Sequence, residues 1–201
     1  MTSLYLLGAG GHARVIFHAL RAGRVEVSGV VDPYLKEDTF QGLRVLRDLP
    51  KSGSVIVAVG QVRADRTRER IWSDAIGAGL APAEAFCEAA PAAGARVGSG
   101  SVVLAGAYVA VGTTIGQNCI VNHLAIVEHD CAIADHVHVS PCAVVGGEVR
   151  IGTRSHIGIG AVVRQGVAIG DDVTVGAGAV VVADVPSGAT VVGVPARPLE
   201  K

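Results

Sequence analysis

Every sixth residue from Val97 onward is Val or Ile. The series runs Val103, Val109, Ile115, Val121, Val127, Ile133, Val139, Val145, Ile151, Ile157, Val163, Ile169, Val175 and Val181, fifteen positions counting Val97, without exception. Four residues after each anchor the side chain is small or β-branched, as at Ala107, Thr113, Cys119, Cys131 and Val149. An α-helix repeats its faces every ~3.6 residues and does not carry a period of six. A short strand sends alternate side chains to opposite faces, and a turn in every hexad wraps the chain into a three-sided coil. Three hexads make a coil of eighteen residues, so fifteen hexads predict five coils. Residues eighteen apart then stack about 4.8 Å from each other, the strand spacing of a sheet. The expectation is a parallel β-helix over residues 97–186, followed by a tail, 187–201, that leaves the repeat.

Composition agrees with a narrow interior filled by Val, Ile and Ala: half of the 201 residues are apolar but only 3% are aromatic. Seventeen basic residues against eighteen acidic ones set up no global field, so charge does not argue for nucleic acid or a membrane surface. Residues 97–127 carry no formal charge if His123 is neutral, yet their period of six and their Ser, Thr, Asn and Gly content argue against a membrane span. No basic stretch precedes the first apolar run, so secretion is not expected and the cytoplasm is the expected setting. The four cysteines form no CxxC pair and are expected to be reduced, with Cys119 and Cys131 acting as small buried side chains.

The first part of the chain has a different pattern. Leu4–Leu7 reads as a strand, Gly8-Ala9-Gly10-Gly11-His12 as a turn, and 13–22 as a helix. Further strands are expected over 25–31, ending at Asp32, and over 54–59, closing at Gly60-Gln61, then a polar helix over about 64–78. This order predicts a small Rossmann-like α/β domain over 1–81, joined by an Ala- and Pro-rich connector, 82–96. Gly8, Gly10 and Gly11 would let backbone N–H groups approach an anion at the helix start. Asp32 stands where a ribose hydroxyl would be gripped. The spacing is not GxGxxG, so a single nucleoside diphosphate suits it better than a dinucleotide, and a ligand-free tight turn is the plain alternative. His12 either donates to a phosphate or is a capping or exposed side chain.

Five of the seven histidines lie in the β-helix. Glu128-His129-Asp130 offers a general base whose neighbouring acid fixes the tautomer and raises the imidazole pKa. Gly147 lies eighteen residues on, so its N–H is placed to stabilise an oxyanion. His138 and His156 stack, as do His123, Pro141, Ile159 and Ala177, while His136 is expected at a solvated edge. A metal held by histidines of neighbouring subunits is a rival use of these residues.

Gly8-Ala9-Gly10-Gly11-His12, Asn122, Ile126-Val127-Glu128-His129-Asp130-Cys131, His138-Val139-Ser140-Pro141 and Val192-Gly193-Val194-Pro195-Ala196-Arg197 occur in this order. With them the chain resembles, from end to end, the PglD/NeuD-like sugar acyltransferases, whose hexapeptide repeats build a left-handed β-helix. The resemblance implies a homotrimer with active sites between subunits, acetyl-CoA as co-substrate, a nucleotide-sugar acceptor and no metal. It implies His129 as base, Asp130 as its orienting partner and Gly147 as donor to the thioester carbonyl. Asn122 and His138 would line the site, and Ile159 and Ala177 would contact pantetheine through their backbone. Gly10, Gly11, His12 and Asp32 match the family's sugar-nucleotide site, and Gly8 and Gln61 are further substrate-binding candidates beside them. Pro33 stands where relatives can carry a second acid, Gln61-Val62 where a polar pair is common, and Cys87-Glu88 where a His is common. The expected reaction is N-acetylation of a UDP-4-amino-sugar. O-acetylation of a sugar or sialic acid, a metal-dependent hydratase and a non-catalytic sugar-nucleotide-binding partner are the alternatives.

Overall fold

The computed structural model describes residues 3–86 and 91–199, so Cys87 and Glu88 lie outside the described residues. The N-terminal domain comprises β1 (Leu4–Leu7), α1 (Gly11–Ala22), β2 (Gly29–Val31), β3 (Thr39–Phe40), β4 (Leu43–Leu46), β5 (Ser54–Val57), α2 (Thr67–Gly77) and β6 (Ala81–Pro82). Its sheet has the order β3-β4-β2-β1-β5-β6, parallel except for the β3–β4 pair. α1 buries Ala13, Ile16, Phe17 and Leu20, an i, i+3, i+4, i+7 stripe that packs on one face of the sheet. α2 covers the other face with Trp72 and Ala75.

Several boundaries differ from the sequence expectation, each for a local reason. β2 begins at Gly29 because Arg24 and Val25 are used to leave α1: Arg24 is left-handed, φ 59°, and the Val25 N–H bonds to Leu20 O. β5 stops at Val57 because the carbonyls of Val57 and Val59 are taken by Arg68. α2 starts at Thr67, where the Asp65 carboxylate accepts the Thr67 N–H, while the Ala64 N–H goes to Thr174 Oγ1. The β3–β4 hairpin was not expected. Its two-residue turn, Gln41-Gly42, has φ of 51° and 78°, the positive pair that an Asn-Gly turn would have advertised.

The β-helix is built from fifteen two-residue parallel strands, Arg96–Val97 to Val180–Val181. They pair in steps of eighteen, as Thr114 with Arg96 and with Ala132. Three faces result: a first through Val102–Val103, a second through Tyr108–Val109 and a third through Arg96–Val97. The Val and Ile anchors from Val103 onward are buried in one continuous core. Every sixth residue from Gly94 to Gly178 is left-handed, including the non-glycines Asn118, Leu124, Asp130, His136, Cys142, Glu148, Arg154 and Asp172. Each of these costs roughly 1–2 kcal/mol against an ordinary conformation, which the stacked ladders offset. Cys119 and Cys131 are buried with their thiols directed at the carbonyls of Ala134 and Gly146, and burial pushes the Cys119 thiol up to about 12.

The connector joins both sheets. β6 pairs with β5, and β7 (Ala85–Phe86) pairs with Val102–Val103 of the first face. At the far end Thr190–Val192 extends the same face, and Arg197–Pro198 folds back on it antiparallel.

One corner, between the third and first faces, docks the N-terminal domain. Gly100 lies under Trp72, where even a Cβ would meet the indole ring. One coil on, the buried Arg68 guanidinium donates to Val57 O, Val59 O, Asn118 O and Asn118 Oδ1 at 2.6–2.9 Å. Arg154 bonds Asp172 at 2.6 and 2.7 Å and Glu69 at 3.2 Å. His136 belongs to this corner and is not a solvated residue. Its Nδ1 is 3.0 Å from Asn118 Nδ2, it is 9% exposed, and burial lowers its pKa. The six-residue count places His136 at a corner; only the docking of α2 makes that corner an interior.

Candidate active site

The crevice outside the carboxyl ends of β1, β2 and β5 lies where the sheet order reverses, the usual ligand position in open α/β sheets. Gly8 follows β1 with φ 106°, and a Cβ there would lie 2.6 Å from Val59 Cγ2. The Asp32 carboxylate is already engaged: Oδ2 accepts the Ala9 N–H, and Oδ1 accepts those of Tyr34 and Leu35. It thereby pins the Gly-rich turn to the end of β2. Gly10 caps α1 without a side-chain bond, and nothing lies within 4 Å of where a Cβ on Gly10 or Gly11 would stand. The N–H groups of Gly11, His12 and Ala13 donate to no atom of the described residues. A cavity of about 420 Å³ on the α2 side is lined by Gly8, Asp32, Tyr34, Arg70 and Asp74. A larger one, about 600 Å³, runs between α1 and the β-helix, past Gly11, Arg14, His18 and His123.

Val59 lines the first of these cavities, and the next residues, Gly60 and Gln61, line a third, of about 440 Å³. This third cavity gathers His12, Gln61, Asn122, His138, Ile159 and Ala177. Its hydrogen bonds fix a tautomer. His138 Nδ1 donates to Gln61 O at 2.9 Å, so its Nε2 accepts from Asn122 Nδ2 at 3.0 Å. With both ring nitrogens engaged and burial lowering its pKa, His138 holds Asn122 and the loop after β5 and has no lone pair left for a proton. His156 and Ser140 share the wall, residues that the sequence left without a role although the eighteen-residue step joins His156 to His138.

His129, Asp130 and Gly147 stand elsewhere, at the corner between the second and third faces. His129 Nδ1 donates to Asp130 Oδ2 at 2.9 Å, which leaves Nε2 with a free lone pair. That bond is the main cause of a raised His129 pKa, with the charges of Asp130, Glu128 and Glu148 acting the same way. The imidazole lies over Gly147, and the Gly147 N–H donates to no atom of the described residues. A base and an unengaged backbone donor thus sit one coil apart. Within one chain they are separated from the His138 cavity by the second face. The outward side chains of that face are Tyr108, Ile126, Val144, Val162 and Val180, apolar and partly exposed in each case. Among the described residues no cluster of His, Cys, Asp or Glu has the geometry to hold a metal ion, and no helix is long and apolar enough to cross a membrane.

A nucleotide-type α/β domain docked on a hexapeptide β-helix with an edge histidine defines a class, the hexapeptide-repeat acyltransferases with an added N-terminal domain. The profile of the PglD N-terminal domain matches residues 3–74, and that of the bacterial transferase hexapeptide (six repeats) matches 112–147 and 148–183. The acetyltransferase domain of PglB from Neisseria gonorrhoeae is 36% identical, covering 99% of this chain and 100% of that one with a TM-score of 0.90. The same domain has been solved with acetyl coenzyme A. A histidine-to-alanine variant of GDP-perosamine N-acetyltransferase from Caulobacter crescentus, in complex with CoA and GDP-perosamine, is 31% identical. It covers 100% of this chain and 98% of that one with a TM-score of 0.89. No curated protein matches significantly. The chain belongs to the PglD/NeuD-like family of hexapeptide-repeat sugar acetyltransferases.

Proposed function

We propose that the protein transfers the acetyl group of acetyl-CoA to the 4-amino group of a nucleoside-diphosphate-linked amino-deoxy sugar. The observation that carries this reading is the His129–Asp130 pair over Gly147: a free Nε2 lone pair beside an unengaged N–H. The amine nitrogen attacks the thioester carbon, and the Gly147 N–H holds the oxyanion that forms. His129 Nε2 takes the proton lost by the nitrogen, the C–S bond breaks, and the thiolate of CoA leaves and is protonated in turn. No acyl-enzyme is required: Cys119 and Cys131 are buried and held as thiols.

The base would occupy the cavity at Asp32 and Tyr34, the diphosphate would cross the Gly10–Gly11 helix start, and the sugar would reach the His12–Gln61 cavity. Ile159 and Ala177, on the rim of that cavity, would carry the pantetheine arm. Because His129 stands on another corner, this reading needs a second copy of the chain. A homotrimer packed through the apolar second face would bring the His129 of one subunit to the cavity of the next. Sedimentation at micromolar concentration should show a trimer, and a stable monomer would count against the arrangement. A cytoplasmic setting goes with these co-substrates.

The direct test is thiol release from acetyl-CoA with a panel of sugar nucleotides. UDP-4-amino sugars come first and GDP-linked ones, as carried by the Caulobacter relative, second. Transfer to an amino sugar supports the reading. Transfer only to hydroxyl acceptors makes the protein an O-acetyltransferase, and no thiol release with any acceptor overturns the enzymatic reading.

A further inference from the structure

The left-handed positions at the corner between the second and third faces form one column: Gly112, Asp130, Glu148 and Gly166, eighteen residues apart. On this column the Asp130 side chain folds back over the preceding coil. A Cβ built on Gly112 would collide with Asp130 Oδ1 and stand 3.2 Å from its Cγ. The other oxygen, Oδ2, accepts from His129 Nδ1 at 2.9 Å. The fold does not demand a glycine at residue 112. At the corner between the third and first faces four side chains, Asn118, His136, Arg154 and Asp172, follow one another in successive coils on the same left-handed backbone. The turn that carries His129 and Asp130 is held from both sides. Inside the coil, Thr113 Oγ1 donates to Glu128 O at 2.6 Å and accepts the Cys131 N–H at 3.0 Å. The Asp130 N–H donates to Val111 O, and the His129 carbonyl accepts the Glu148 N–H. A crowded turn therefore cannot retreat, and what yields is the carboxylate.

We infer that Gly112 is a positioning residue for the His129–Asp130 pair: the space left by its missing side chain seats Oδ1 of Asp130 and so aims Oδ2 at His129. The inference rests on the reading of His129 as the base and adds a residue, one coil away, that serves it. A carboxylate is planar and rigid, so pushing Oδ1 off Gly112 carries Oδ2 away from Nδ1. The charged groups that face His129 are Asp130, Glu128 and Glu148. All three raise its pKa, and the bond from Asp130 is the largest cause. A methyl group on residue 112 leaves the three charges nearby and removes the bond. The ring is then free to turn, it holds a proton less tightly, and Nε2 is no longer fixed over the Gly147 N–H.

The test reads the pair twice, by NMR titration of the imidazole in the substrate-free protein and by the pH profile of kcat/KM. The His129 signal is identified by its absence in His129→Ala. Gly112→Ala should lower the His129 pKa, move the acid limb of kcat/KM to lower pH and reduce the plateau by about tenfold, the worth of one hydrogen bond to a charged group. The control is Gly188→Ala. Gly188 has the same left-handed backbone, φ 76°, with nothing within 4 Å of where its Cβ would stand, and it lies one coil past Asp172, at the corner away from His129. That variant should keep wild-type values in both readings. The two alanine variants should melt alike; a much lower melt for Gly112→Ala means that the backbone yields instead and overturns the seat. In an Asp130→Ala background Gly112→Ala should add nothing, since no carboxylate is left to displace. An unchanged His129 pKa in Gly112→Ala, or an equal loss of activity with and without Asp130, also overturns it. Near-normal turnover of His129→Ala, with the imidazole of the intact pair still responding to Gly112→Ala, sinks the base assignment instead.

Discussion

The imidazole of His129 occupies the space that a side chain on residue 147 would need: a Cβ built on Gly147 would lie 2.6 Å from His129 Nε2 and 2.7 Å from Cε1. Gly147→Ala should therefore displace the ring and disturb the backbone donor beneath it. A fall in kcat of about 10²-fold or more is expected, the usual worth of an oxyanion donor, with little change in the melting temperature. Steady-state kinetics and a melt on the same sample check both halves.

His129→Ala should lower kcat by about 10²–10⁴-fold, the range for a positioned general base, and both substrates should still bind. Near-normal turnover at neutral pH would end the assignment. His138 would not inherit the role, since its Nε2 is engaged by Asn122.

Asp130 is the main reason that the His129 pKa is raised. The imidazole acts as a base only when neutral, so activity should rise with pH through its pKa. Asp130→Asn weakens the hold on the proton and should move the acid limb of kcat/KM to lower pH, while lowering the plateau less than His129→Ala does. An acid limb that stays put would mean that another group controls it.

Arg68 is 1% exposed, and its charge is spread over four oxygens with no carboxylate among them. Arg68→Met would strand those acceptors at the domain junction, costing on the order of 3 kcal/mol. For a chain of this size the melting temperature should fall by roughly 6–12 °C. Lys offers a point charge where a planar fork is needed and should restore little. Calorimetry of both variants decides it.

His12 and His156 drop from 6.5 to about 4 on folding, and burial lowers His138 as well. His12 and His156 are protonated in the unfolded chain below pH 6.5 but not in the folded one until about pH 4. Their contribution is thus fully present above pH 6.5 and is lost as the pH falls toward 4, on the order of 3 kcal/mol for each of His12 and His156. Melting temperatures taken across this window should fall steadily, and His156→Phe should flatten the slope. A flat wild-type profile would contradict it.

The β-helix was legible because one rule is written fifteen times, and the same arithmetic put Gly147 one coil from His129. Counting along a column, however, does not say what faces it. His136 is expected at a solvated edge, and nothing local marks Asn118 or Arg154, because the partners of those two, Arg68 and Glu69, lie on a helix far away in sequence. Arg68 itself sits at a core position of α2, where an apolar residue is the norm. The Gln41-Gly42 turn lacked the Asn that marks such hairpins. The resemblance places the active sites between subunits, and the single chain sets His129 and Gly147 apart from the His12–His138 cavity. That separation depends on which face each column occupies and on the docking of a second domain, and neither is written locally.

The left-handed residue at every sixth position from Gly94 to Gly178 makes this half of the chain a ruler with fixed graduations. A single inserted residue would turn every later interior side chain outward. Length can change safely only by a whole coil, or by a loop that leaves a corner and returns to the strand it left. Descendants of such a chain should therefore differ by coil-sized steps and corner excursions, and the stacking of His129 over Gly147 survives any such change made outside residues 129–147.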